Sequence, residues 1–297
     1  MEAGLASSEE DGIQFRVTFS AGLGFEGSHF SKEGIENFSG ALVPVDEYQH
    51  RVEVEVFQFT PEVSIPFSEE TSIEIGLPLR RISRVASINP PAGSSQSDQD
   101  KRQRHVDLHH PTENLEGIGD LSLWMRPRDS EHHWSWGLTL PTGGTEEDPY
   151  ALGDLDPPQA HEHVQFGTGT VVPRLQFFRG EEDWISLGTL SLPLYSNHHG
   201  FTAPPELSFY SARRGPLAEN WIWSTGLSAR LQGFGEWNGT RDINTGYGAL
   251  VVDGGLIWNS SAGRLILGVT MPLIQEVWEE TGDTFKLGPS LAVSFSL

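Results

Sequence analysis

Ser290-Leu-Ala-Val-Ser-Phe-Ser-Leu297 is the stretch that decides the fold. Leu291, Val293, Phe295 and Leu297 alternate with small residues up to the last position, the pattern of a β-strand with one apolar and one polar face. A soluble domain rarely finishes on so regular a strand. A membrane barrel does, because its closing strand pairs with its first and no edge remains. Such barrels usually end on an aromatic residue; here Leu297 holds that place.

The averages of the whole chain agree with that reading. Its 297 residues have a hydrophobic content of 37% and a mean hydropathy of −0.32. No run of about 18 apolar residues occurs, so no helical membrane span is expected. A β-barrel hides behind such averages, because half of every strand is polar. The chain has no cysteine, which removes disulfide and thiolate chemistry and agrees with an oxidising cell envelope. A net charge of −22 argues against nucleic acid or an anionic surface as a partner. Residues 1–11 show neither the basic nor the apolar region of a secretion signal. For a barrel they read as the flexible start of a chain whose signal has been removed.

Twelve alternating segments emerge, at 12–24, 51–67, 71–85, 117–128, 133–142, 167–179, 184–195, 206–213, 220–235, 245–258, 263–275 and 285–297. No long helix is expected. Short turns at 68–70, 129–132 and 180–183 contrast with long connections at 24–50, 86–116 and 143–166. Outer-membrane barrels sort their loops this way, short on the periplasmic rim and long outside. A β-sandwich, the soluble rival, has no reason to. The expected fold is therefore all-β: one antiparallel up-and-down transmembrane barrel of about twelve strands, spanning 12–297.

The faces of the segments agree. Ile13, Phe15, Val17 and Phe19 oppose Gln14, Arg16, Thr18 and Ser20; Trp134, Trp136, Leu138 and Leu140 oppose Ser135, Gly137 and Thr139. Trp134, Trp136, Trp184, Trp221, Trp223 and Trp258 fall within a few residues of short turns, where a periplasmic aromatic girdle belongs. The second segment changes phase near Val56-Phe57, which suggests a bulge or a strand that runs beyond the membrane. Proline recurs in four segments, as Leu77-Pro78-Leu79, Leu140-Pro141-Thr142, Leu192-Pro193-Leu194 and Met271-Pro272-Leu273. Proline cannot donate to a strand ladder. Pro78, Pro141, Pro193 and Pro272 either end strands near the outer rim or mark a wall that opens laterally to a hydrophobic molecule.

Gly117-Ile-Gly-Asp120, Leu140-Pro-Thr-Gly143 and Phe166-Gly-Thr-Gly169, in this order, resemble motifs of the outer-membrane barrels named for the meta pathway of phenol degradation. The last departs at its first position, where that family has LGTG. The resemblance is sharpest over 117–178. It implies an outer-membrane barrel for uptake of aromatic or other small hydrophobic compounds, with no catalytic residues to carry over.

If the polar residues face inward, Arg16, Glu62, Glu74, Arg80, Asp120, Arg126, Arg128, Arg174, Arg230 and Asp253 line the lumen. They form either a salt-bridged plug or a polar path that selects solutes. His161-Glu-His163 follows an acidic run at Glu146, Glu147, Asp148, Asp154 and Asp156, a donor set suited to a divalent cation as well as to plain solvation. Barrels also host lipid-modifying enzymes, but no nucleophile motif such as GxSxG is present, so no enzyme and no cofactor are expected. The sequence is read as a passive outer-membrane channel for small hydrophobic or aromatic solutes, with bilayer, lipopolysaccharide and solute as partners. An adhesive barrel with a plugged lumen is the alternative.

Overall fold

The computed structural model describes residues 12–31, 35–36, 42–43, 48–128, 131–153, 164–242, 245–278 and 284–297. The expected flexible segment 1–11 lies outside them. In chain order the first strands are β1 (Gln14–Ser31), β2 (Ile35–Glu36), β3 (Leu42–Val43), β4 (Tyr48–Pro66), β5 (Thr71–Gly76) and β6 (Leu79–Asn89). Helix α1 (Gln96–His109) leads to β7 (Glu113–Ile118), β8 (Leu121–Pro127) and β9 (His132–Leu140). After α2 (Pro149–Gly153) come β10 (Val172–Gly180), β11 (Trp184–Ser191), β12 (Phe201–Thr202), β13 (Glu206–Ala218) and β14 (Trp221–Gln232). The chain ends with β15 (Gly235–Trp237), β16 (Thr240–Asp242), β17 (Tyr247–Ser260), β18 (Gly263–Val277), β19 (Thr284–Lys286) and β20 (Ser290–Ser296).

Twelve strands close a ring, in the order β1, β4, β5, β8, β9, β10, β11, β13, β14, β17, β18 and β20, every neighbour antiparallel. The terminal strand closes it as its alternation requires. Arg16 opposes Ser296, Val17 opposes Phe295 and Phe19 opposes Val293, so apolar side chains share the outer face and polar ones the inner. Phe15, Phe19, Leu291, Val293, Trp134 and Trp136 are all exposed. A belt of that kind is stable only in lipid. No helix among the described residues is long and apolar enough to cross a membrane; the strands do the crossing. The short turns, both ends of the described chain and the Trp221–Trp258 pair, with ring centroids 6.3 Å apart, lie on one rim.

Above the ring the sheet continues on one side only, as a flap of β19, β1, β4, β6 and β7. The phase change at Val56-Phe57 marks this transition. β4 has no bulge there; the shift in register lies in β1, between Gly22 and Phe25, where Gly24 has φ of 65°. Below Phe57 the outward residues Phe57, Phe59, Val63 and Ile65 meet lipid and the inward ones are polar. Above it the outward residues Arg51, Glu53 and Glu55 are exposed to water, and Val52 turns inward onto a small core of Tyr48, Ala86 and Val106. The backbone alternation never breaks; its surroundings invert.

Two expectations need correcting here. The segment 86–116, read without a helix, contains α1, which supplies Val106 to the flap core. Its N-terminus is set by Ser95, whose hydroxyl accepts the Asp98 N–H at 3.2 Å. The third and fourth expected strands are each interrupted, at Leu77-Pro78 and Gly119-Asp120, so two sequence segments become β5–β6 and β7–β8. Gly119 N–H bonds the Pro78 carbonyl at 2.7 Å across the double break.

Candidate functional site

The lumen is layered. Nearest the short-turn rim, Phe178, Ile185, Tyr210 and Ala212 form an apolar floor, and His133 stacks on Phe178 at 4.9 Å. These residues point inward because they occupy the same parity as the polar positions higher on their strands.

Over the floor lies a web of charge. Arg16 grips Glu62 with two bonds, of 2.6 and 2.8 Å, and reaches Glu74 at 3.5 Å. Arg126 reaches Glu74 at 3.3 Å and also bonds Gln176, whose amide donates to Thr189 at 3.2 Å. Arg126 and Arg174 each stack on the Trp124 ring, at 4.7 and 4.6 Å. The web links β1, β4, β5, β8, β10 and β11, half of the ring. Elsewhere in the lumen, the Ser228 hydroxyl bonds the Asp253 carboxylate. Buried charges are tolerable only when paired in this way.

The next layer joins the three glycine-rich motifs. Asp120, 8% exposed, accepts the Gly143 N–H at 3.0 Å, the Thr168 N–H at 2.7 Å and the Thr168 hydroxyl at 2.7 Å. Thr142 accepts the Leu121 N–H at 2.9 Å and donates to the Gly119 carbonyl at 2.9 Å. The glycines permit close approach: a Cβ on Gly117 would lie 2.7 Å from the Phe166 ring, and one on Gly167 would lie 2.3 Å from an Asp120 oxygen. Arg80 completes this latch, donating to Gln58 at 2.7 Å and to the Phe166 carbonyl at 3.2 Å. The connection between β9 and β10 is thereby drawn across the mouth of the barrel.

The connection between β14 and β17 closes against it. Tyr150 donates to Asp242 at 3.0 Å, and Asn238 donates to Asp148 at 2.8 Å. β15 and β16 join through Asn238-Gly239, with φ of 51° and 80°, as a tight hairpin demands. Between latch, loops and charge web lies a cavity of about 730 Å³. Four aromatic residues, Tyr150, Phe166, Phe201 and Trp237, line its upper part beside Glu146, Thr168 and Asp242; its lower wall is polar, from Gln58, Thr60 and Glu62.

Of the residues expected in the lumen, Arg16, Glu62, Glu74 and Arg126 lie in the web, Arg80 and Asp120 in the latch, Arg174 and Arg230 on the cavity wall, and Asp253 beside Ser228. Arg128 lies elsewhere. Just past the end of β8, it bonds the Ser68 carbonyl at 3.4 Å on the short-turn rim. Pro78 and Pro193 line the cavity and Pro141 follows the last residue of β9. Pro272 sits inside β18, opposite Val251, where the register of β17 shifts. His161 and His163 lie outside the described residues, and among those described no three His, Asp or Glu side chains gather as a metal would need. Trp124, Gln176 and Phe166 were not anticipated. Trp124 had a signal, for it falls on the polar parity of Leu121-Ser-Leu-Trp-Met125 and so had to face inward.

A cavity under folded loops, in a membrane-spanning ring of twelve strands, defines an outer-membrane type of β-barrel. The fold is similar to that of an outer-membrane channel from Pseudomonas putida F1, at 13% identity over 100% of both chains and a TM-score of 0.52. The P. putida toluene transporter TodX, 9% identical, aligns over 97% of this chain and 90% of its own, with a TM-score of 0.46. A FadL homologue from Pseudomonas aeruginosa, also 9% identical, aligns over 96% and 89%, with 0.42. The first likeness shows a shared barrel fold; the other two scores carry no further weight. No protein-family model matches the chain, and no curated protein does.

Proposed function

We propose that this chain is a passive channel of the bacterial outer membrane for small hydrophobic or aromatic compounds, related to the barrels named for the meta pathway of phenol degradation. Residues 12–297 act as one barrel domain, with 24–50, 86–116 and 143–166 as its main outward connections. The observation that carries the reading is the cavity: about 730 Å³ suits a small ring compound, and four aromatic side chains share its lining with polar ones. Transport rather than catalysis is the task such a chamber fits. An outer-membrane channel shares the barrel plan, which agrees with a channel and leaves the solute class to the cavity.

The floor directs the route. A solute in the cavity meets the charge web below it, while beside it the wall is one strand thick. Gln58 and Arg80 border both the cavity and an apolar groove of about 670 Å³ on the outer face, among Phe19, Phe57 and Leu291. The interruptions at Pro78 and Gly119 lie in this wall, so lateral passage there needs little broken pairing. The other rim prolines, Pro141, Pro193 and Pro272, loosen the ladder elsewhere at the strand ends and the β18 bulge.

Cells lacking their own hydrocarbon channels test the reading. Expression of the chain should raise initial uptake of dilute radiolabelled benzyl alcohol several-fold, and Pro78→Ala with Pro141→Ala should reduce that gain in a folded barrel. Uptake equal to that of empty cells would favour the plugged, adhesive barrel, for which the web and floor are the supporting observations.

A further inference from the structure

Resting on the channel reading above, the geometry points to discrimination by charge at the cavity: we infer that it takes neutral aromatic solutes and rejects their carboxylates, and that Glu206 sets this selectivity through Arg230. An anion entering a cavity needs a cation that can turn toward it. The guanidinium groups around this one are already engaged. Arg16 is held by Glu62 and Glu74, and Arg80 by Gln58 and the Phe166 carbonyl. Arg174 lies flat on Trp124. Arg230, on the wall formed by β13 and β14, is paired with the Glu206 carboxylate, bonds Gln232 at 3.4 Å and lies 5.7 Å over the Tyr247 ring.

The mouth is also biased. Glu146 and Asp242 line the same cavity, adding two carboxylates beside its aromatic residues, and the whole chain carries a net charge of −22. A carboxylate solute must therefore approach through negative potential, and at Arg230 it must also displace the Glu206 carboxylate. A neutral ring bearing a hydroxyl meets neither obstacle. Among the pairs, Arg230–Glu206 is the one whose two members both line the cavity, with Phe201 and Trp237 in the same lining, so its release would turn a cation toward the solute. It joins neighbouring strands at register positions 206 and 230 that are two residues out of step, Glu206 opposing Gln232. The pair therefore depends on side-chain reach and not on the ladder, and its loss leaves the barrel paired.

Equilibrium dialysis of the full-length protein in detergent, folded by the heat-modifiable migration criterion, tests this with radiolabelled benzyl alcohol and benzoate. Wild-type protein should bind benzyl alcohol at least tenfold more tightly than benzoate. Glu206→Gln, which frees Arg230, should cut that ratio to under threefold, and Arg230→Gln should raise it above the wild-type value. Equal binding of both probes by wild type, or a ratio unmoved in folded Glu206→Gln, would overturn the inference while leaving the channel reading in place. Binding of neither probe would overturn both.

Discussion

Strands β1 and β4, of 18 and 19 residues, continue past the bilayer as paired sheet, whereas β8 to β11, of seven to nine residues, stop at its edge and hand over to loops. A transmembrane strand needs only about 9–11 residues, so the first pair is overlong and the second group barely sufficient. The tall side is ordered by backbone pairing and an apolar core under α1. The low side is ordered by side chains, with Asp120 and Thr142 doing for the loops what a ladder does for the flap. The cavity lies between them, roofed from the low side and floored by a charge web that reaches across from the tall one. A mouth built by side-chain bonds can rearrange without unpairing the barrel, as the proposed entry of small solutes requires.

Several measurements would break or sharpen that contrast. Arg16→Ala strands Glu62, 8% exposed, and should cost the barrel about 4 kcal/mol, read as a lower urea midpoint for loss of heat-modifiable migration. The double replacement Arg16→Gln with Glu62→Gln should recover most of it. Asp120→Ala leaves the Gly143 and Thr168 N–H groups without their acceptor and should cost about 3 kcal/mol, concentrated on the low side. Limited proteolysis should then cut within 143–170 while the flap stays intact. Cutting in both regions at once would show the two sides to be coupled. Val106→Ala should loosen α1 by about 1–2 kcal/mol, seen as faster hydrogen exchange in 96–109 with the urea midpoint unchanged.

The smallest effect concerns pH. The Ser95 hydroxyl bonded to Asp98 at 2.7 Å, aided by Lys101 and Arg102, holds the Asp98 carboxyl below its ordinary range. A depressed carboxyl stabilises the fold above its unfolded value and loses that contribution as pH falls through the folded one. The first turn of α1 should therefore fray only on acidification below the usual carboxylate range. Asp98→Asn should remove the pH dependence of exchange there and leave the latch untouched.

The contrast also explains what could be read in the sequence. Period-two alternation located the ring, its closure by 290–297 and its inner and outer faces, because lipid and lumen impose opposite demands on alternate residues. It located β4 too, but the inversion at Val56-Phe57 was open to two readings: a bulge, or a strand running past the bilayer. Only the flap core shows that strand parity is constant and the solvent changes. Helix α1 escaped notice because its sequence, Gln96–His109, is polar, and among its described side chains Arg102 and Val106 are the buried ones. The motifs at 117–120, 140–143 and 166–169 were legible as a resemblance but not as a latch. Nothing in their spacing says that an aspartate at 120 accepts an amide from residue 168. The charged lumen residues were legible by parity, and their partners were not, since adjacent or next-adjacent strands join positions as distant in sequence as 16 and 62 or 126 and 176.

The central claim is that solutes leave the cavity through the wall and not through the floor. Single-channel recording of the refolded protein in a planar lipid bilayer, with heat-modifiable migration confirming the fold, tests it most directly. A folded, inserted barrel that passes no steady ionic current agrees with a web and floor that stay closed. Discrete, reproducible current steps would mean an open lumen from mouth to rim and would contradict it.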